Sequence, residues 1–163
     1  MNGRGQVSKL KQQLEATLSR APGPSSDIEA QSDFAKYFCV LVSGFLENAL
    51  VALLLDYSQK RSSPEVTLFV ERQLEFWTNP NSEKIVQLLG EFSRDWRVAA
   101  EHFLIDERKA AVNSLVALRH KIAHGESVGT SLAQVKAYYD TVLKVVEFVS
   151  ELVDPEVPAP REG

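Results

Sequence analysis

The sequence predicts an all-α protein, an antiparallel helical bundle of about five to six helices. Three observations carry this. The long apolar segments repeat at three- and four-residue spacing, as the buried stripe of a helix does. No segment alternates apolar with polar residues, and no Asn-Gly or Asp-Gly pair stands between two apolar runs as a hairpin turn would. Clusters of Ser, Pro, Gly and Asn cut the chain into pieces of helical length. At 163 residues, 44% hydrophobic and 25% charged, the chain suits one globular domain with its own core.

The elements follow in order. Val7, Leu10, Leu14 and Leu18 mark a first helix over about 8–20, and Ala21 to Ser26 breaks it. Ser26 with Glu29 has the spacing of a capping box and opens a long helix to about Arg61. Its core positions include Phe34, Phe38, Leu41, Phe45, Val51 and Leu55. The run from Tyr37 to Leu55 raises the question of a membrane span. Glu47 and Asn48 stand in its middle, where a charge costs at least ~2.5 kcal/mol in lipid, so a buried core helix is expected and no membrane partner. Ser63 before Pro64 starts a helix with Leu68, Phe69 and Leu74 that stops before Asn79-Pro80-Asn81. A further helix runs over about 82–96 through Ile85, Leu88, Leu89 and Phe92, with an ambiguous continuation through Glu101 and His102. Asp106 is expected to cap the helix of Val112, Leu115, Leu118 and Ile122, which ends at Gly125. Ser131 with Gln134 opens a last helix to about Val153. The expected organisation is an N-terminal helix and linker over 1–26, a bundle over 27–153, and a disordered tail over 154–163.

Charge and cysteine usage narrow the function. A net charge of −4 excludes a broad basic surface that tracks many phosphates, so any contact with nucleic acid is local. The single cysteine, Cys39, precludes an intrachain disulfide and suits a reducing compartment. With no apolar signal-peptide core in the first twenty residues, a cytoplasmic location is expected. The tryptophans Trp77 and Trp96, with Phe76 and Phe92, read as core or interface aromatics.

The candidate site is the run Arg119-His120-Lys121-Ile122-Ala123-His124-Gly125. Arginine is a permanent cation with a planar donor fork suited to phosphate. Histidine takes and gives protons near neutral pH. Together at the edge of an apolar scaffold they suit chemistry on a phosphodiester. A plain solvated helix end, with cations matched to the helix dipole, carries the same pattern. Arg119 and His124 lie about 140° apart around an ideal helix, so they converge only if the helix ends there or if a two-fold dimer brings one chain's arginine to the other's histidine. His120 and His124 also have the spacing of a zinc-binding pair. Lys121 stands where zinc proteases carry Glu, and only His102 and Asp106 offer a conceivable third ligand, so no metal or other cofactor is expected. Asn113 and Ser114, one to two turns earlier, are positioned to line a cleft. Glu47 interrupts an apolar helix and needs a partner. Arg119 is the expected one, with Ser43 sharing the network; an ordinary ion pair satisfies the same residues.

Arg119 through His124 matches the Arg-x(4–6)-His signature of the HEPN superfamily. Ser43 to Glu47 on a long apolar helix resembles that family's acidic helix, and the layout over about 30–152 looks closest to its RiboL-PSP type. The resemblance implies a homodimeric helical bundle with the two motifs meeting at the two-fold axis. It implies a metal-independent endoribonuclease of prokaryotic defence or toxin–antitoxin systems, with an antitoxin or defence protein as a further partner. Other members bind nucleotides or act only as partner modules. Carried over, Arg119 binds the scissile phosphate of RNA, His124 acts as general acid or base, and Glu47 fixes Arg119. His120, Lys121 and Ser43 contribute to substrate binding, and His120 is a possible second acid/base group. Glu126 stands where members controlled by tyrosine modification carry Tyr, so that control is not expected.

Overall fold

The computed structural model describes residues 2–155. Among them are seven α-helices and no strand. These are α1 (Gly3–Leu18), α2 (Ile28–Arg61), α3 (Pro64–Glu75), α4 (Ser82–Phe92), α5 (Arg94–Phe103), α6 (Asp106–Ala123) and α7 (Leu132–Val153). The all-helical class is as expected, and there is one helix more than expected. The additional helix arises at Ser93. Its backbone is extended (φ −158°, ψ 134°) and its hydroxyl accepts from the Trp96 N–H, so α4 ends and α5 begins where the sequence suggests one continuous helix. The apolar spacing hides the break, because Phe92 and Trp96 still stack on each other across it and both meet Tyr57. Phe76, by contrast, is exposed and belongs to no core.

Helix α2 is the axis of the molecule. Its 34 residues span about 51 Å at 1.5 Å per residue. Helices α1, α3, α6 and α7 pack on it, and α4 packs on both α5 and α6. Phe38, Leu46, Leu50 and Leu54 of α2 are fully buried against Val112 and Leu115 of α6 and Val135, Val142 and Val145 of α7. Each such side chain contributes roughly 1.5–3 kcal/mol on leaving water. By length and composition α2 could cross a membrane, and 56% of its most apolar window is buried against the other helices, which gives those side chains their partners within the bundle.

Local chemistry sets most helix ends. Ser63 accepts from the Val66 N–H and Pro64 follows it, as expected. Asp27, not Ser26, caps α2 by accepting from the Glu29 N–H. Ser131 accepts from the Gln134 N–H, but the Gln134 amide donates to the Tyr138 hydroxyl, so only half of the expected capping box forms. Asp106 does not cap α6. Ile105 takes the cap position, no side chain caps that end, and Asp106 sits at φ 49°, a region Asp tolerates better than most residues.

Helix α1 begins earlier than expected, with Asn2 accepting from the Gly5 N–H. Gly3 lets it lie against α2, since a Cβ there would stand 3.0 Å from the Asp56 Cβ. Leu14 joins the common core, and the Tyr139 hydroxyl of α7 donates to Glu15 at 2.9 Å. Of the expected tail over 154–163, Asp154 and Pro155 are described; the remainder lies outside the described residues.

Candidate active site at the end of helix α6

The end of α6 is built by glycine. His124 is the C-cap, and Gly125 follows at φ 72°, in the left-handed region that costs glycine little. The Gly125 N–H donates to the Ile122 carbonyl at 3.1 Å and the Glu126 N–H to the Lys121 carbonyl at 3.0 Å. These are the two hydrogen bonds of a Schellman motif, and they fix the last turn on which the motif side chains stand. His120, Lys121 and His124 are exposed. The two imidazoles lie one turn apart with ring centroids 4.3 Å apart and planes tilted by 55°. Among the described residues, no three His, Cys, Asp or Glu side chains gather as a metal-ligand cluster.

Arg119 sits differently from its neighbours. It is half-buried at the edge of α6, close enough to Cys39 of α2 for its charge to act on the thiol. Burial pushes the Cys39 thiol up to about 11, and the guanidinium opposes that shift. The thiol is also within 3.9 Å of the Leu115 carbonyl. Among the described residues no hydrogen bond or ion pair engages the Arg119 guanidinium. A half-buried guanidinium in that condition has its N–H donors open to solvent or to a ligand.

Glu47 does not hold Arg119. Its carboxylate accepts instead from the backbone N–H of Asn79 at 3.1 Å. Glu47 lies eight residues beyond Cys39 on α2, about 12 Å along the helix axis, so it serves a different part of the molecule from the thiol that neighbours Arg119. Ser43 is buried, at 2% exposure, and joins neither Glu47 nor Arg119 in a network; burial also takes it out of reach of a substrate. What Glu47 does is pin the turn between α3 and α4. Asn79 there has φ 51°, in the left-handed region that Asn tolerates better than most residues, and a charge-assisted bond to its N–H holds it there.

That turn forms one wall of a groove of about 650 Å³ beside the motif. Asn79 and Asn81 face Asn113, His120 and Lys121 of α6 across it. The Asn113 side-chain oxygen accepts from the Ser82 N–H at 2.9 Å, which locks the start of α4 to α6. The Asn81 oxygen accepts from the Lys84 N–H at 2.9 Å as the α4 cap. Asn81 as the α4 cap was not singled out from the sequence, although Asn directly before Ser82-Glu83 is a local signal for it; the Glu47–Asn79 bond joins residues too far apart in sequence to leave one.

Residues 6–154 match the family RiboL-PSP-HEPN. No curated protein and no solved structure matches the chain significantly. The family match spans α1 to α7 and includes both the α2 acidic position and the α6 motif. The chain therefore belongs to the RiboL-PSP-HEPN family.

Proposed function

We propose that the chain is a metal-independent endoribonuclease whose Arg119 and His124 act together across a homodimer, in a cytoplasmic prokaryotic defence or toxin–antitoxin setting. The observation that supports this most is the unengaged, half-buried guanidinium of Arg119 on the same helix end as two exposed imidazoles. Arg119 binds the scissile phosphate and stabilises the extra negative charge of the transition state. The 2′-hydroxyl attacks phosphorus, so RNA is required. The 2′-oxygen–phosphorus bond forms as the bond to the 5′-oxygen breaks. One imidazole, His124, takes the 2′-hydroxyl proton, and the departing 5′-oxygen takes a proton from the second imidazole, His120, in its protonated form, or from water. The products are a 2′,3′-cyclic phosphate and a 5′-hydroxyl. Glu47 has no part in these steps.

A second reading, a non-catalytic module that holds a nucleotide or a partner protein, draws on the net charge of −4, which disfavours approach of RNA. One experiment separates them. Wild type incubated with total RNA in EDTA is expected to leave cyclic-phosphate ends. Arg119→Ala should lose about 10²–10³-fold in rate and His124→Ala about 10²–10⁴-fold. Mixing the two inactive variants should restore cleavage, because a mixed dimer contains one intact pair drawn from both chains. Absence of cleavage by wild type supports the binding module, and failure of the mixture to regain activity overturns the shared site.

A further inference from the structure

His120 and His124 share a property that the proton transfers do not use. They stand four residues apart at the end of α6, so both project from one side of the helix. Both are exposed, and their ring centroids are 4.3 Å apart. Among the described residues no hydrogen bond or ion pair engages either imidazole. Tetrahedral zinc holds histidine nitrogens at about 2.0–2.1 Å, which sets two such nitrogens about 3.3 Å apart. Rings with centres 4.3 Å apart reach that bite by rotation of two exposed side chains, on a backbone already fixed by the Gly125 stop. The C-terminal end of a helix favours a cation. The Glu126 carboxylate lines the same groove as His120. Lys121 and Arg119 oppose a cation. Lys121 is exposed and turns its charge to water, and Arg119 lies close to Cys39 of α2.

A resident zinc needs three or four protein ligands, and no such cluster gathers among the described residues. Two imidazoles, with water in the remaining positions, make an exchangeable site instead. We propose that His120 and His124 form a two-histidine chelate for a zinc-type divalent cation, and that this cation is a reversible inhibitor of the motif and not its cofactor. Zinc binds a neutral imidazole through the lone pair that otherwise takes a proton. A captured pair neither accepts the 2′-hydroxyl proton nor supplies one to the 5′-oxygen. Cys39, the chain's one thiol, is fully buried and does not compete for the metal. Magnesium and calcium prefer oxygen ligands and leave the pair alone. The chelate stands on geometry; the word inhibitor rests on the ribonuclease reading.

The chain has three histidines, so the third, His102 of α5, serves as an internal reference. Zinc sulfate added to the protein without RNA is expected to shift the imidazole proton resonances of His120 and His124 and to leave those of His102 in place. Magnesium should move none of them. His120→Ala and His124→Ala change exposed side chains, assign the signals, and should melt close to wild type. Each should lose zinc affinity in calorimetry by at least about tenfold, since losing even an outer partner of a metal ligand costs that much. With total RNA, zinc in place of EDTA should slow wild-type cleavage by about 10²–10⁴-fold, the contribution of the acid–base groups it captures, and EDTA should restore it. Absence of shifts, equal shifts at all three histidines, or unchanged affinity in either variant overturns the chelate. Zinc that fills the pair and leaves cleavage unslowed overturns the inhibition. A wild type that binds zinc at the pair yet cleaves no RNA in EDTA overturns the ribonuclease reading alone.

Discussion

Helix α2 meets a polar element at two levels, and the two are resolved in opposite ways. At Cys39 the neighbour is a permanent cation, Arg119, which the protein leaves unengaged beside a neutral thiol. At Glu47 the polar group is on α2 itself, and the protein engages it on the N–H of Asn79, whose φ is 51°. A charge left without a protein partner and a charge used in holding the scaffold look alike in sequence. Each is a single ionisable residue at the margin of an apolar stripe. The difference between them is whether a buried or half-buried donor or acceptor nearby already needs that charge.

Three measurements would break or sharpen this contrast. The largest effect is expected at Cys39. The thiol is neutral in the folded chain up to about 11, whereas its ordinary value is 9.0. Below pH 9 both folded and unfolded thiols are protonated and the contribution is fully present. Between pH 9 and 11 the unfolded thiol ionises first, and roughly 3 kcal/mol of stability is lost. Tyr139, whose phenol is pushed up by burial and then by Glu15, adds a loss of the same sign at higher pH. Urea unfolding of wild type and Cys39→Ala across pH 8 to 11 isolates the thiol as the difference in slope. Arg119→Ala should move that limb to higher pH, because the guanidinium is what partly lowers the thiol; an unmoved limb would mean the two groups are not neighbours.

The next effect belongs to Glu47. Glu47→Leu should cost about 1.5–3 kcal/mol by leaving the Asn79 N–H without its charged acceptor, and Glu47→Gln much less, since an amide oxygen still accepts. The sharper form is a double-mutant cycle of Glu47→Gln with Arg119→Ala. Additivity within about 0.5 kcal/mol is expected of groups that share no contact. A larger coupling would restore the ion pair that the sequence suggested. The smallest effect is at Gly125→Ala, where the left-handed φ of 72° costs a side chain about 1–2 kcal/mol and an added Cβ meets nothing within 4 Å that could offset it. Equilibrium unfolding measures it; a neutral result would mean that the last turn of α6 relaxes and that the motif side chains are not held by the glycine.

How much of this was readable beforehand depends on the range over which each feature is decided. Ser63-Pro64 and the end of α6 at Gly125 are fixed by groups within five residues of one another, and the sequence carries them directly. The break at Ser93 is local as well. Its signal, a serine followed by Arg94, Asp95 and Trp96, was masked by apolar spacing that runs through it unbroken. Ser26 and Asp27 are adjacent and both are capping residues, so spacing alone could not choose between them. Glu47 needs a partner, and in the sequence Arg119 at the margin of another core stripe is the expected one. A backbone N–H in a distant turn satisfies a carboxylate too, and no local pattern in the sequence marks it.

The sequence by itself determined an all-helical chain, its apolar central helix, and an arginine and two histidines on a helix end stopped by glycine. Apolar periodicity, capping and glycine's freedom all act over one or two turns. Only the tertiary structure decided that Glu47 clamps the Asn79 turn, that Arg119 neighbours Cys39, and that three asparagines from two separate segments line one groove. Those pairings depend on how α2, α4 and α6 are rotated and shifted against one another, which is set by the packing of the whole core.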